Sequence, residues 1–297
     1  MESREERSPT TYSFLRPAPG GVCGGSEQGL MSSSKPDIFT LFTKNRIEKD
    51  QETVTHKTDA IYAAPLQKMI DFQFDERVVA VFPDMIQRSV PGYGMIISNI
   101  GIVAAKYAQA GSHCYDLGCS LGAVTLAMRQ RITQPDCDII AVDNSPAMIE
   151  RGRELLALDT LPTVPVTMIC ADLQEVTIEN ASVVVLNFTL QFIPPAERLA
   201  LIERIHAGLR PGGVLILSEK IAFGEPGRQQ FHEELHHDFK RANGYSDLEI
   251  SQKRSALEKV LIPETLACHH ERLQAAGFSF SDLWFQCFNF VSLVAIK

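Results

Sequence analysis

The sequence predicts an α/β protein whose mostly parallel sheet ends in a C-terminal antiparallel hairpin and carries extra helices. Between residues 113 and 218, short apolar runs alternate with amphipathic stretches of helical spacing. The run from Ser182 to Leu186 is apolar after its first residue, which is typical of a strand buried on both faces. Two further apolar runs meet near Asn289, and a tight hairpin is expected between strands so close in sequence.

The same patterns place each element in chain order. A helix is expected from Phe74, and a second helix follows the turn at Pro91 and Gly92. The alternating region predicts strands over 113–117, 138–142, 164–170, 182–186 and 214–218, and helices over 121–132, 146–158 and 195–209. Next come a helical stretch over 228–260 within an insertion at about 224–262, a helix over 263–276, and hairpin strands over 282–288 and 290–296.

Composition is typical of a soluble globular protein with one large domain, or one domain with appendages. The chain has 297 residues, of which 45% are hydrophobic and 22% are charged. Its net charge of -8 gives no overall attraction to nucleic acid or to an anionic membrane, so direct contact with either is not expected. No apolar run approaches the ~18 residues of a membrane span. Seven cysteines without a CxxC pair indicate reduced thiols in the cytoplasm, not disulfides or a metal site.

Residues 1–58 differ in composition from the remainder and are expected to form a disordered extension before a domain at 59–297. They combine a glycine-rich run at 20–25 with a charged stretch from Lys44 to Lys57 and show little apolar periodicity. A transit peptide is the alternative interpretation, but three glutamates among the first six residues are unusual for one. We therefore expect a chain that begins near Ala60 to keep its stability and turnover.

The first motif that suggests chemistry is the turn after the first strand, Tyr115-Asp116-Leu117-Gly118-Cys119-Ser120-Leu121-Gly122. Glycine allows the backbone to approach a ligand closely and presents N–H donors at the start of a helix. A glycine turn alone is a weak signal and can be purely structural. Ser120 stands where a dinucleotide-binding loop requires glycine, which disfavours a nicotinamide-dependent oxidoreductase.

Polar residues also follow the next three strands. Asp143 ends the second strand about 20 residues after the glycine turn, where a carboxylate can accept both ribose hydroxyls. Its alternative role is to cap the following helix. Asp172 follows the third strand and could accept the adenine amino group, and Asn187 ends the fourth strand. Because ligands of such sheets bind outside the carboxyl ends of the strands, these residues together predict a nucleoside site.

Other polar clusters are weaker candidates. His232, His236 and His237 could place two metal ligands one helical turn apart, but no further ligand is evident. A solvated helix face is therefore expected there, and no metal. The segment 268–270, Cys-His-His, is expected to be a surface helix segment for the same reason. Arg254, taken by itself, is expected to be a solvated arginine.

Several blocks of the sequence resemble the bacterial carboxy-S-adenosylmethionine synthases, a family with the Rossmann-like class I methyltransferase fold. These blocks are 82–93, 115–122, 143–151, 186–192, 237–254 and 283–290. The blocks that contain Tyr93 and Arg254 are specific to this family, whereas the glycine turn is compatible with any methyltransferase. The resemblance covers about Phe74 to Lys297 and does not extend to the first 58 residues.

The resemblance implies an enzyme that uses S-adenosylmethionine as a substrate and prephenate as the donor of a carboxyl group. The products would be carboxy-S-adenosylmethionine and phenylpyruvate, and a separate enzyme would use the first to modify wobble uridine in tRNA. It also implies a cytoplasmic homodimer. An ordinary methyltransferase of a small molecule or of tRNA is the main alternative, because it shares the fold and most binding residues. A catalytically silent binding subunit is a further alternative.

The resemblance also implies roles for individual residues. Tyr93 and Arg254 are the implied catalytic residues, and an arginine fork suits the carboxylate of the product better than a lysine does. The implied S-adenosylmethionine-binding residues are Tyr93, Gly118, Cys119, Ser120, Asp143, Asn144, Asp172, Leu173, Asn187 and Arg254. No residue can be nominated as a general base, and a base derived from the substrate is compatible with the sequence.

Overall fold

The computed structural model describes residues 57–65, 72–159 and 164–297. The extension expected at residues 1–58 therefore lies outside the described residues, apart from Lys57 and Thr58. Asp59 is the first buried residue along the described chain, with 2% of its surface exposed.

Eight α-helices and eight strands make up the described residues. The helices are α1 (Glu76–Ser89), α2 (Tyr93–Tyr107), α3 (Ala123–Arg129), α4 (Pro146–Ala157), α5 (Pro195–Gly208), α6 (Pro226–Ala242), α7 (Asp247–Leu257) and α8 (Leu266–Ala275). The strands are β1 (His113–Leu117), β2 (Asp138–Asp143), β3 (Val166–Cys170), β4 (Ala181–Asn187), β5 (Leu209–Ala222), β6 (Glu264–Thr265), β7 (Phe280–Cys287) and β8 (Phe290–Ile296).

The strands form one sheet in the order β3-β2-β1-β4-β5-β8-β7, with the short β6 paired to β5 outside this path. The strands from β3 to β5 are parallel to one another. Strands β7 and β8 form an antiparallel hairpin, and β8 also pairs antiparallel with β5. The prediction of a mostly parallel sheet that ends in a C-terminal hairpin is confirmed.

Strand β4 lies at the centre of the core and is buried along its first six residues. Val183 and Val185 belong to an apolar cluster with residues of α1 to α4. Val184 and Leu186 belong to a second cluster with residues of α5 and α8. The sheet is therefore covered on both faces, as the apolar run of β4 predicts.

The structure changes several of the expected boundaries. Helix α1 begins at Glu76 instead of Phe74, because the Asp75 carboxylate accepts hydrogen bonds from the first backbone N–H groups of the helix. The stretch over 228–260 is divided into α6 and α7, with Gly244 at a φ of 85° in the turn between them. Strand β5 is longer than expected, since β8 pairs with it as far as Lys220. No described helix is long and apolar enough to span a membrane.

Candidate active site

A cavity of about 390 Å³ lies at the carboxyl ends of β1, β2 and β4, where the parallel part of the sheet predicts a ligand site. One wall consists of the turns that follow these strands. The opposite wall consists of residues from α1, α6 and α7, together with the end of β5. The first wall is called the sheet wall below, and the second is called the helical wall. A cavity of this size is typical of small-molecule sites.

The glycine turn takes the shape that close ligand approach requires. Gly118 has a φ of 79°, and a Cβ atom at this position would lie only 2.3 Å from Oγ1 of Thr189. Ser120 has a φ of 49°, which is uncommon for a residue with a side chain. Its backbone N–H donates to Oδ2 of Asp143 at 2.9 Å. The turn is thus held in a strained conformation by the carboxylate at the end of the neighbouring strand.

Asp143 joins two turns and also faces the cavity. Its Oδ1 accepts the backbone N–H of Ser145 at 2.9 Å, while Oδ2 holds Ser120. Burial raises the pKa of the Asp143 carboxyl, and these two N–H donors partly offset that effect. Each carboxylate oxygen has a further acceptor position, so the structural role leaves room for hydrogen bonds to a ligand.

The turns after β2 and β3 are connected by side chains. Nδ2 of Asn144 donates to Oδ1 of Asp172 at 2.9 Å, and Leu173 lies beside this pair in the cavity wall. The predicted ligand-binding residues of four separate turns all line this cavity, and so does Tyr93. The turn residues are Gly118, Cys119, Ser120, Asp143, Asn144, Asp172, Leu173 and Asn187.

Asp116 lines the cavity as well, although it was not among the residues predicted to bind the ligand. It is 1% exposed, its Oδ2 accepts the Thr125 hydroxyl at 2.6 Å, and its Oδ1 is buried without a partner among the described residues. Burial raises its pKa to about 7. A carboxyl group within the buried part of a strand was the available signal, because such a group is rarely buried unless it is paired.

Tyr93 is the first residue of α2, and aromatic rings lead from it across the cavity. Its ring centroid lies 6.5 Å from that of Phe188, which in turn lies 6.0 Å from that of Phe290. Burial raises the pKa of the Tyr93 hydroxyl further above its ordinary value, so this group remains protonated. Its position requires Gly92, since a Cβ atom there would lie 2.6 Å from the Phe285 ring.

The helical wall is cationic. Lys220, His236, Lys240 and Lys253 all line the cavity. The expectation of a solvated face at His236 is wrong: this residue is 5% exposed, and its Nε2 lies 2.8 Å from the carbonyl oxygen of Ser89. Burial and the neighbouring lysines lower the pKa of His236 to about 2, so the ring is neutral.

His269 is also more buried than expected. The segment 268–270 is not wholly a surface segment, because His269 is 2% exposed. Among the described residues, no group of three His, Cys, Asp or Glu side chains could hold a metal ion.

Arg254 is not brought to the cavity of its own chain. Its side chain is 61% exposed on α7, and Nη2 lies 3.9 Å from Oε2 of Glu233. An ion pair with this long a distance at an exposed position contributes little to stability. The guanidinium is therefore available to a group outside this chain's cavity.

The fold and the sheet wall together define a class I methyltransferase-type domain that binds S-adenosylmethionine. A family model described as a methyltransferase domain matches residues 115–213. The fold also resembles human N-acetylserotonin methyltransferase, with a TM-score of 0.50 and 16% identity over 75% of this chain and 55% of that one. An O-methyltransferase family 2 protein from Planctomyces limnophilus gives a TM-score of 0.51 and 16% identity, over 76% of this chain and 63% of that one.

Sequence comparison then distinguishes one family within this class. The chain is 96% identical over 244 residues to the carboxy-S-adenosyl-L-methionine synthase of Geobacter metallireducens, which covers 82% of this chain and 100% of that one. The enzyme of the same name from Aeromonas salmonicida is 62% identical over 242 residues, covering 82% and 98%. The chain belongs to the carboxy-S-adenosyl-L-methionine synthase family, and it is an enzyme that uses S-adenosylmethionine.

The residues present fit this ligand. S-adenosylmethionine carries a sulfonium and an α-ammonium, and the sheet wall offers the carboxylates of Asp116, Asp143 and Asp172. The buried oxygens Oδ1 of Asp116 and Oδ1 of Asn187 have no partner among the described residues, and both residues line the cavity. Buried polar atoms without partners are costly, so a ligand that donates hydrogen bonds to them would be bound favourably.

Proposed function

We propose that this enzyme transfers a carboxyl group from prephenate to the methyl carbon of S-adenosylmethionine. The observation that carries the proposal is a single cavity with an acidic wall at the sheet and a cationic wall at the helices. The acidic wall suits a cationic cofactor, and the cationic wall suits an anionic second substrate. A dianion such as prephenate matches the second wall in charge, whereas a neutral methyl acceptor does not require it.

The chemistry balances with these two substrates alone. The sulfonium acidifies the methyl protons, and loss of one proton gives a carbon nucleophile. Prephenate loses carbon dioxide from its ring and hydroxide from the opposite ring carbon, which leaves the aromatic ring of phenylpyruvate. The nucleophile captures the carbon dioxide, and hydroxide with the methyl proton gives water. Holding both molecules in one closed cavity favours capture over escape of carbon dioxide.

The roles proposed for the sheet wall are those that the family resemblance implies, and the lining of the cavity supports them. We propose that Gly118, Cys119 and Ser120 bind the amino-acid part of the cofactor, since Ser120 lies in the strained glycine turn. Asp143 and Asn144 are proposed to bind the ribose. Asp172 and Leu173 are proposed to bind the adenine, Asn187 the centre of the ligand, and Tyr93 the side facing the second substrate.

Arg254 is proposed to bind the new carboxylate of the product, and to do so in the cavity of a second copy within a homodimer. Its exposure of 61% and its long contact to Glu233 support a role outside its own chain's cavity. A guanidinium fork pairs with a carboxylate through two directed hydrogen bonds.

The product is proposed to pass to a separate enzyme that modifies wobble uridine in tRNA, so this chain need not touch nucleic acid. Its net charge of -8 supports that division of labour. A cytoplasmic location is proposed as well, and the cysteines of the described residues, all of them free thiols, support it.

The test is a reaction with S-adenosylmethionine and prephenate labelled with carbon-13 in its ring carboxyl group, followed by mass spectrometry. We expect a labelled product heavier than S-adenosylmethionine by one carbon dioxide, together with phenylpyruvate. Asp143→Ala is the control for a reaction in this cavity and should give little product. Formation of S-adenosylhomocysteine with a methyl acceptor, and no labelled product with prephenate, would favour an ordinary methyltransferase instead.

A further inference from the structure

Two lysines of the helical wall form no direct ion pair with a described residue. The ammonium groups of Lys220 and Lys240 make no hydrogen bond or ion pair with any residue that the structure describes. Lys240 is only 8% exposed, and Lys220 is partly buried at the cavity end of β5. Lysine is almost never buried unless it is paired, so these two groups need an explanation.

Lys253, on the same wall, shows how this protein pairs a buried lysine when the role is structural. Its ammonium lies 3.5 Å from Oδ2 of Asp59 and donates to Oγ of Ser89 at 2.9 Å. The Tyr245 hydroxyl donates to the same Asp59 oxygen at 2.5 Å. Lys253 is thus compensated within the fold, and Lys220 and Lys240 are not.

The charged neighbours of these lysines are mostly cationic. Burial, followed by repulsion from Lys253 and Lys220, lowers the pKa of Lys240 to about 7. Burial likewise lowers the pKa of Lys220, and the carboxylate that opposes this effect, Glu233, is itself shared with Arg254. An anion bound between Lys220 and Lys240 would relieve both effects.

An aromatic surface leads from these lysines towards the cofactor turns. Lys220 and Phe290 are paired across the antiparallel strands β5 and β8. The His236 ring packs edge-on against Phe290 at 4.8 Å, and Phe290 in turn contacts Phe188. A ligand with an anionic end at the lysines would therefore lay its ring along Phe290 and Phe188, with its far end near Tyr93.

We propose that Lys220 and Lys240 bind the carboxylate that the substrate keeps, the 2-oxo acid side chain, while the carboxylate that leaves lies against the aromatic surface. The proposal rests on the proposed function, since it assigns the two anionic ends of that substrate. When the ring carboxylate leaves as carbon dioxide, that group loses its negative charge. A lysine paired with that group would stabilise the ground state and slow the reaction, whereas a lysine on the retained carboxylate holds the substrate without this cost.

The experiment compares Lys240→Met with a matched control, Lys259→Met, a lysine exposed just beyond α7. Each variant and the wild type are titrated with phenylpyruvate, which has only the retained carboxylate, and with S-adenosylmethionine and carboxy-S-adenosylmethionine. We expect Lys240→Met to weaken phenylpyruvate binding and raise the KM for prephenate by about 20-fold, as loss of a desolvated charge pair does. Binding of the two sulfonium ligands should stay nearly unchanged, and Lys259→Met should behave as wild type.

Each other outcome overturns the assignment. Weaker binding of carboxy-S-adenosylmethionine alone would place the transferred carboxylate at Lys240, and weaker binding of both sulfonium ligands would place the cofactor's own carboxylate there. A lower kcat with unchanged KM and phenylpyruvate affinity would mean a role in the chemistry. A lower Tm without cofactor would mean a structural lysine, because removing an unpaired buried charge should not destabilise the fold. If wild type makes no carboxylated product, the proposed function fails; if only the Lys240 result fails, the function stands.

Discussion

The two walls of the cavity are built from opposite kinds of residue. The sheet wall presents a strained glycine turn and the carboxyl groups of Asp116, Asp143 and Asp172. The helical wall presents Lys220, Lys240 and Lys253 around a neutral histidine. Burial on each wall favours the neutral form of a charged group, since it raises the pKa of Asp116 and lowers that of Lys240. The contrast is the basis of the proposal that a cationic and an anionic ligand bind side by side in the cavity.

The walls also differ in how they are held. Carboxyl groups of the sheet wall are held by residues of the neighbouring turns and of α3: Asp143 by the backbone N–H groups of Ser120 and Ser145, and Asp116 by the Thr125 hydroxyl. The helical wall is held by contacts distant in sequence, in which Asp59 joins Lys253 and Tyr245. Arg88 adds to this network, since it donates to the backbone oxygens of Asp59 and Asn243. The described contacts of the sheet wall thus come from the sheet and the turns and helix beside it, whereas the helical wall also depends on Asp59 of the N-terminal segment.

The largest effect is expected from removing the countercharge of the helical wall. Asp59→Ala leaves Lys253 and the Tyr245 hydroxyl without their buried partner, and it should lower the free energy of unfolding by about 3 kcal/mol. Chemical denaturation measures this change. Asp238→Ala is the matched control, because that carboxylate is exposed on α6 and should leave the midpoint where it is. Equal stability of the Asp59 variant would mean that the wall is held by other contacts.

Loss of a carboxylate from the sheet wall should instead weaken binding of the cofactor. Asp143→Ala removes the acceptor for the ribose and also the anchor of Ser120, so affinity for S-adenosylmethionine and for its carboxylated form should fall together, by about 100-fold. Asp143→Asn keeps one acceptor oxygen and should lose less. Calorimetric titration with both ligands, at a temperature where the variants are folded, gives the comparison. Unchanged affinity would show that Asp143 only joins the two turns.

Arg254 separates carboxyl transfer from methyl transfer. Arg254→Ala should weaken binding of the carboxylated product by about 30-fold, because a carboxylate in a closed site loses its bidentate partner. Plain S-adenosylmethionine should bind nearly as before, and Arg254→Lys should recover only part of the loss. Arg241→Ala, an exposed arginine on α6, is the control. Equal losses for both ligands would make Arg254 a structural residue.

The same arginine tests the assembly. If it serves a neighbouring cavity, a mixture of Arg254→Ala and Asp143→Ala chains should form some heterodimers with one intact site. Activity should then exceed that of either variant alone, and an inactive mixture would place Arg254 and Asp143 in the same chain's site. The readout is the labelled product of the prephenate reaction.

The two walls should respond to pH in opposite directions. Burial and neighbouring cations lower the pKa of Lys240 to about 7, so it loses its charge above that pH, and kcat/KM for the anionic substrate should fall as pH rises through 7, approaching tenfold per unit. Asp116, whose pKa is also about 7, gains its charge over the same range, so affinity for the cationic cofactor should rise. The charged and titratable groups that interact with Lys240 are Lys220 on β5, His236 and His237 on α6, and Lys253 and Arg254 on α7, while Glu233 on α6 acts on Lys220 and His237.

Rates measured at saturating S-adenosylmethionine isolate the first effect, and titrations of the cofactor alone isolate the second. Lys240→Met should abolish the fall in kcat/KM above pH 7 and leave the cofactor profile intact. A fall that persists in this variant would assign the titration to another group of the helical wall.

The sequence predicts the sheet wall well for a physical reason. Apolar runs locate the strands, the carboxyl ends of parallel strands meet at one edge, and polar residues at those ends must then share a site. Asp143, Asp172 and Asn187 were identified in this way, and all line the cavity. Asp116 was missed because the argument considered residues after the strand, whereas this carboxyl group lies inside β1.

The helical wall was not predictable by the same means. Assignment of a buried helix face relies on apolar periodicity, and the buried residues of α6 are His236 and Lys240. A face that is buried but polar looks solvated in the sequence, which is why His236 was assigned to solvent. The partner of Lys253 lies 194 positions earlier at Asp59 (253 minus 59), and no local pattern connects them.

The smallest effect is expected at the N-terminus, provided that the chain is cut at the right residue. The composition of residues 1–56 offers little apolar surface to offset the entropy of ordering. A chain that begins at Lys57 should therefore keep the Tm, the turnover and the cofactor affinity of the full chain. A start near Ala60, which the sequence suggests, is one residue too late, because it removes Asp59 and with it the partner of Lys253. We expect that shorter chain to lose stability as Asp59→Ala does. Comparing the two truncated chains therefore distinguishes the effect of the extension from the effect of Asp59 on the helical wall. A loss of Tm or turnover in the chain that begins at Lys57 would show that the extension itself contributes to the folded enzyme.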